Sequence, residues 1–395
     1  MAFVGDRTRA PIVSRRPTAT PQCLCTKPVA EIGRHPGVRA RPRVGLMDSQ
    51  KDPNSPKATG DTDAWSVPTN VMGLTATFTD PLWRIPVRLN PVEVGLLRTE
   101  PLRRLHFVAH GGASTVSTLQ SYSRLEHTLG VLALAAHFRP DDELLRVAAL
   151  LHDIGHLPLS HTFEGLSGLD HHAIGLQLLR TDPIRPVLEK HGFRTEAVTA
   201  ALDKHPRSPL TNRSGLLHLD HLDSFVRSGR AAGRLDTDPA VLLSRLDIRD
   251  AAVSADRGTA ASLVHLICGE ARLHTSWDSV GPASVVRRLA CRLLDSTSLT
   301  PARLARMTDP QLWSAFDACA RTEPESAMVR YELHRLRVRT GSAPRDRTAW
   351  NYSLRKIYSS APLVEGQRLE TAAPELAAEL DALRALPTTF HAWWS

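Results

Sequence analysis

The sequence predicts an all-α protein, a helical bundle with one small β hairpin near residues 242–255 and a helical C-terminal extension. Three observations carry this. Apolar residues recur at helical spacing through most of the chain after residue 90. Asn, Asp and Ser, in places with Pro beside them, stand where the periodic stretches begin. Strand-like patterning is confined to Leu246-Asp247-Ile248 and Ala252-Val253, with turn residues between.

Taken in order, residues 1–70 are rich in Pro, Arg, Thr and Ser and sustain no apolar period, so they read as a disordered basic tail. The bland alternative is sequence upstream of a start at Met47 or Met72. Order is expected from Asp80-Pro81, and one domain is expected over 78–300. Asn90 and Pro91 open a first helix, whose apolar face runs through Val94, Leu97, Leu102 and Leu105 until Gly111-Gly112 breaks it. Ser121-Tyr122-Ser123 leads into a second helix carrying Arg124 and His127, which lie three apart and so on neighbouring positions of one face. Pro140-Asp141-Asp142 caps the next, and Asp170 starts another through Leu178-Leu179. Helices are expected at 183–191, 195–203, 215–225, 260–277, 284–295, 301–306 and 309–321. Tyr331–Val338 and Glu370–Leu386 complete a helical region, 301–395, packed on the domain.

Composition narrows the function classes. No apolar run approaches the roughly 18 residues that span a bilayer, so a membrane role finds no support. Five scattered Cys lack a framework spacing, which points to a reducing compartment and a cytoplasmic location; Cys23 and Cys25 are too isolated to read as half a zinc site. The net charge of +8 is local, because residues 1–46 hold nine basic residues against two acids. The remainder is nearly neutral, which speaks against nucleic acid as a partner.

The chemistry concentrates in Leu150–His161, where an apolar helix ends in three His and one Asp. Burying such groups is costly unless each is paired or bound to a metal, and imidazole with carboxylate suits first-row divalent ions. His127, His152, Asp153 and Asp220 would make one site between flanking helices, in the way such sites form in bundle cores. That ligand set fits Mn, Mg, Fe, Ni or Zn without choosing among them.

The order H…HD…D resembles that of the HD superfamily of metal-dependent phosphohydrolases. Arg124–Val131 is similar to the family's R-F-E-H-S-L-G-V, and Leu151–His161 to C-H-D-[LI]-G-H-x-P-[FL]-S-H. Asp80-Pro81 and Arg104-Leu105 sit where the family has D-P and R-L. The longer pattern is that of the deoxynucleoside triphosphate triphosphohydrolase branch, with likeness over roughly residues 80–300.

The resemblance implies that His127, His152, Asp153 and Asp220 hold a divalent ion, which polarises phosphoryl oxygens and lowers the pKa of bound water. It implies phosphate contacts for Arg124 and His161, a catalytic place for His156, and a general acid in His171 with Glu164 holding its tautomer. It places His110, His221, Ser224, Asp223 and Arg227 at the substrate. It also implies self-association, for which no sequence feature sets a number. The pattern departs from the family where nucleotides are read: His110 stands for a Gln, His221 for a basic residue, Ser224 for a Tyr, Ser228 for an Asp, and His172 for a Glu.

Three functional readings follow. The first is hydrolysis of a (deoxy)nucleoside triphosphate to nucleoside and tripolyphosphate. The second is phosphomonoester or phosphodiester hydrolysis of another nucleotide or phosphorylated metabolite, motivated by the changed positions. The third is a catalytically silent nucleotide sensor, against which the complete ligand set argues.

Overall fold

The computed structural model describes residues 76–395 apart from 204–207, 213 and 297. The expected tail 1–70, with Cys23 and Cys25, lies outside the described residues.

The described chain opens with a short hairpin, β1 (Thr77–Thr79) and β2 (Pro86–Arg88), paired antiparallel. Helix α1 (Pro91–Leu97) starts where Asn90 predicts; Glu93 reaches back to accept from the Asn90 N–H at 2.7 Å. The expected single helix through Leu105 is instead two, because Pro101 has no N–H to continue the ladder and the chain restarts as α2 (Glu100–Arg104). Helices α3 (Arg124–Phe138), α4 (Glu143–Leu151) and α5 (His171–Leu179) are capped by Ser123, Asp142 and Asp170 respectively. Then come α6 (Ile184–Lys190), α7 (Thr195–Leu202) and α8 (Leu219–Ala231). Helix α8 begins four residues later than expected, since Leu217 N–H bonds to the Ala361 carbonyl at 2.7 Å and Gly215 takes φ +74°.

After α9 (Pro239–Leu243), the expected hairpin forms as β3 (Leu246–Arg249) and β4 (Ala252–Ala255). Two long helices follow, α10 (Arg257–Thr275) and α11 (Trp277–Asp295), the second running through Pro282. The C-terminal region holds α12 (Pro301–Arg306), α13 (Asp309–Asp317) and α14 (Glu323–Tyr331), as well as strands β5 (Leu336–Arg339) and β6 (Trp350–Ser353). Strand β7 (Leu363–Val364), helices α15 (Leu369–Ala372) and α16 (Pro374–Ala382), and strand β8 (Thr389–Trp394) end the chain. The helix expected over 331–338 is corrected: β5 pairs antiparallel with β8, and β6 joins the other side of β8. A partner more than fifty residues downstream leaves no local periodic trace. Strand β7 adds parallel to β4. The fold remains helical with only small sheets, and no helix among the described residues is long and apolar enough to cross a membrane.

Two apolar cores divide the described chain. The larger gathers α1 to α4, α8 and α10, and includes Leu150, Leu151 and Ile154. The smaller lies under α11 to α14 and includes Leu157, Leu159 and Phe163. The segment 150–163 therefore passes from one core into the other, with its polar residues at the seam. Leu159 and Ser160 both turn through positive φ, +51° and +52°, a conformation that costs non-glycine residues about 1–3 kcal/mol each. Asp309, the first residue of α13, holds this turn. Its two oxygens accept from Leu159 N at 2.7 Å and Ala109 N at 2.8 Å.

Burial pushes the Asp309 carboxyl up to about 6, against the two backbone N–H groups that favour its charge. Its folded pKa lies above the unfolded one, so its contribution falls as pH rises from about 4 to about 6. The stability advantage of the wild type over Asp309→Asn is expected to shrink by up to about 2 kcal/mol between roughly pH 4 and 7, after allowing for solvent screening. Urea titrations at the two pH values measure it, and an advantage that grows with pH would contradict the assignment.

Candidate metal centre

Four side chains from two helices and the end of a third converge at the seam. His127 comes from the second turn of α3, His152 and Asp153 from the end of α4, and Asp220 from the first turn of α8. His127 Nε2 lies 3.3 Å from Asp220 Oδ1, 3.6 Å from Asp153 Oδ2 and 3.4 Å from His152 Nε2. His152 Nε2 lies 3.4 Å from Asp153 Oδ2 and 3.8 Å from Asp220 Oδ1. Donors bonded to one ion at about 2.1 Å are about 3.0–3.4 Å apart in octahedral or tetrahedral arrangements, so the set fits a first-row divalent ion closely.

The tautomers fit as well. Nδ1–H of His152 donates to the Ala149 carbonyl at 2.8 Å, and Nδ1–H of His127 donates to Asp223 Oδ2 at 2.8 Å. Each ring then turns its Nε2 toward the shared space, as a metal-ligating imidazole must. Burial raises the cost of charge on Asp153, yet His152, His156 and Arg124 hold its carboxyl well below the usual range. Asp220 is likewise held down against burial by His127 and neighbouring imidazoles. Both are acceptors ready for a cation.

Beneath His127 stands a buried network that the sequence reading misassigned. Asp223, fully buried, accepts from His127, from Trp83 Nε1 at 2.7 Å, and from Arg227 Nε and Nη2 at 2.9 and 2.8 Å. Arg227 continues to Asp80 at 3.2 Å and Glu126 at 3.0 Å. The expected substrate contacts of Asp223 and Arg227 are therefore corrected: both lie behind the ligand and orient it. An acid and a base four apart on α8 gave the signal of a pair, but not of which side it faces. Trp83, from the turn before β2, was missed because it meets α8 about 140 residues away, and Asp80 was singled out without its contact to Arg227.

Arg124 is also a support in this structure. Its guanidinium is 3% exposed and donates to Asp153 Oδ2 at 2.9 Å, Ser160 Oγ at 3.3 Å and the His110 carbonyl at 3.2 Å. The phosphate contact expected of it gives way to positioning of a ligand carboxylate. Ser228, expected at the altered pocket, is buried instead between Gln120 and Glu270.

Beside the ligands runs a line of imidazoles. His156 Nε2 meets Asp153 Oδ1 at 3.1 Å, while its Nδ1 is buried without a hydrogen-bond partner among the described residues. Burial keeps this ring well below the ordinary histidine range, hence neutral. His171 stacks on His156 with centroids 4.2 Å apart, and His161 closes edge-on against both. His171 Nδ1 meets Glu164 Oε2 at 2.8 Å, the expected pairing. His172 is exposed, which leaves His171 as the ring at the site.

The wall over α8 holds the remaining expected residues. His110 stacks on Tyr122, lies 4.5 Å from the His127 ring, and pairs through Nε2 with Ser224 Oγ at 3.2 Å. Burial holds His110 well below the ordinary range. His221 Nδ1 meets Ser360 Oγ at 2.7 Å, and Arg355 Nη1 meets Glu164 Oε1 at 2.9 Å. The segment carrying Arg355 and Ser360 was missed entirely, since it follows the motif by nearly two hundred residues.

Residues 124–252 match the family model described as the HD domain. The chain is 27% identical over 258 residues to the metal-dependent phosphohydrolase cns2 of Cordyceps militaris, covering 61% of this chain and 73% of that one. It is 32% identical over 111 residues to the deoxynucleoside triphosphate triphosphohydrolase SAMHD1 of Xenopus laevis. That match covers 24% of this chain and only 17% of the amphibian protein. The crystal structure of a phosphohydrolase from Bacteroides thetaiotaomicron superposes with TM-score 0.60 at 16% identity, covering 80% of this chain and 99% of that one, a likeness of fold.

Asp223→Asn is expected to weaken Mn²⁺ binding about 10- to 100-fold, because it disturbs the tautomer and orientation of His127. Calorimetric titration of folded variant, with circular dichroism alongside, measures it. An unchanged affinity would show that the carboxylate under His127 has no part in metal binding.

Proposed function

For this chain, an HD-domain metal-dependent phosphohydrolase, we propose a (deoxy)nucleoside triphosphate as substrate, cleaved to nucleoside and tripolyphosphate. The observation that carries the reading is a continuous path from ligand to proton donor. Asp153 touches His156, His156 stacks on His171, and His171 is held by Glu164. The central segment's similarity to a protein named as a triphosphohydrolase supports the same substrate.

His127, His152, Asp153 and Asp220 would hold the ion, which supplies neutralisation of phosphoryl charge and Lewis-acid activation. The chain's own residues do the rest. His156 gives its one N–H to Asp153, and His161 beside it would supply an N–H donor to a polyphosphate next to the ligands. Water attacks the α-phosphorus, giving up one proton to solvent, as the bond to the 5′ oxygen breaks. That oxygen leaves as an alcohol by taking a proton from Nε2 of His171. Glu164 fixes Nδ1–H of the ring, and with it the orientation of Nε2, before the transfer. Arg355 in turn keeps Glu164 paired and in place.

A second reading, hydrolysis of a different phosphorylated nucleotide or metabolite, is favoured by the His110–Ser224 pair. Two residues that satisfy each other at 3.2 Å replace groups that the triphosphohydrolase pattern uses for the sugar.

Product analysis with Mn²⁺ or Mg²⁺ and a panel of dNTPs, NTPs, monophosphates and cyclic nucleotides separates the two. Tripolyphosphate from dNTPs, absent with Asp153→Ala, is the expected result. Phosphate from monophosphates or diesters alone would select the second reading. His171→Asn is expected to lower kcat about 10²- to 10⁴-fold with metal content unchanged. A variant that keeps full kcat would remove His171 from the reaction.

A further inference from the structure

The mouth of the metal centre is crossed by a segment from far outside the HD domain match. Residues 355–361 are tied at both ends to groups of the site. At one end Arg355 bonds to Glu164 at 2.9 Å and approaches Asp170 at 3.9 Å. At the other, Ser360 Oγ meets His221 at 2.7 Å, and Ala361 pairs its backbone with Gly215 and Leu217 at 2.8 and 2.7 Å. Glu164 orients the acid, and His221 adjoins the ligand Asp220. The segment thus spans from the proton-donor side of the site to its ligand side.

Tyr358 stands between those two anchors. Its ring centroid lies 5.2 Å from His221, edge to face, 6.1 Å from His161 and 6.1 Å from His274 of α10. The Lys356 ammonium lies 4.6 Å from the ring centroid. The ring is half-buried, so part of its surface is open to what enters. The phenol is pushed up to about 12 by burial and by Asp220, and stays a neutral donor at working pH.

We propose that Tyr358 is the specificity residue of this enzyme, the aromatic surface on which the nucleoside part of the substrate packs. A phosphate chain fixed beside Asp153 and the histidine line leaves its organic part at the mouth, where the 355–361 segment is the covering element. An aromatic ring there accepts a base through its π-face. The inference rests on the nucleotide reading above. It assigns to a residue of the C-terminal region the reading of the substrate, while the HD segment performs the chemistry.

Steady-state kinetics on dNTPs, with tripolyphosphate as competing inhibitor, test it. Tyr358→Ala is expected to raise KM about tenfold or more, in line with the loss of one base–aromatic stack, and to leave the tripolyphosphate inhibition constant unchanged. Tyr358→Phe, which keeps the ring, is expected to hold KM near the wild-type value. Circular dichroism and bound Mn²⁺ establish that each variant is folded and loaded. An unchanged KM in Tyr358→Ala overturns the inference, as does a parallel rise of KM and inhibition constant, or a Phe variant as impaired as Ala. A wild-type enzyme inhibited by tripolyphosphate in the hydrolysis of bis-p-nitrophenyl phosphate, yet inert to and not inhibited by any nucleoside triphosphate, overturns the nucleotide reading and this inference with it.

Discussion

The Asp223 carboxylate beneath His127 is the contact on which the centre depends. A fully buried carboxylate is tolerated only if its lone pairs are filled, and Asp223 has four donors within 2.9 Å. Those donors come from the turn before β2, from α3 and from its own helix α8. One charge thereby fixes the relation of three elements. It is also what turns Nε2 of His127 toward the other donors, so packing and ligand geometry are one arrangement. Gly130, one turn along α3 from His127, shows how tightly the elements close: a Cβ there would overlap Asp223 and Arg227. A larger residue there would have to displace the Asp223–Arg227 pair.

The other half of the centre rests on a strained turn. The segment after Asp153 leaves the larger core at Ile154 and enters the smaller one at Leu157, and between them it must present His156 and later His161 to the same space. Two consecutive positive-φ residues make that re-aiming possible, and Asp309 and the Ser160 hydroxyl, bonded to the Ala109 carbonyl at 2.5 Å, hold it. The α13 contact therefore acts at the site rather than at a distant interface. The helical C-terminal region is in this sense part of the active centre's frame, through Asp309 on one side and the 355–361 segment on the other.

What could be read in the sequence was what is local. Caps at Asn90, Asp142 and Asp170 declare themselves within three residues, and the His-Asp pair at the end of an apolar helix is costly enough to demand a partner. His127, His152, Asp153 and Asp220 meet as expected because each sits on or at the end of a periodic helix. The Glu164–His171 pairing was legible through the family pattern. The roles of Asp223 and Arg227 were not, since an i,i+4 ion pair looks the same facing a pocket or a core. Nor were the β5–β8–β6 sheet, Trp83 under Asp223, or Arg355 on Glu164, because long-range pairings leave no periodic mark in either partner.

The charges around the four converging donors are unevenly balanced. Three acids carry their own arginine: Asp153 with Arg124, Asp223 with Arg227, and Glu164 with Arg355. Asp220 does not; its nearest cationic partner among the donors is His127 at 3.3 Å. Burial opposes charge on that imidazole, but Asp220 and Asp223 outweigh it and raise the ring to about 9. A proton on His127 balances Asp220, and the four donors counted together with Arg124 are neutral overall. A divalent ion held there would take the place of that proton and would leave the same group with a net charge of about +1. The imidazoles alongside, His110 and His156, are held in their neutral forms and add no charge. Under the proposed function, attraction for a polyphosphate at these donors would arise only with an ion in place. The pairing of every nearby arginine is what makes it conditional: a free guanidinium at Arg124 would draw anions to an unloaded centre, and Asp153 prevents that by holding it.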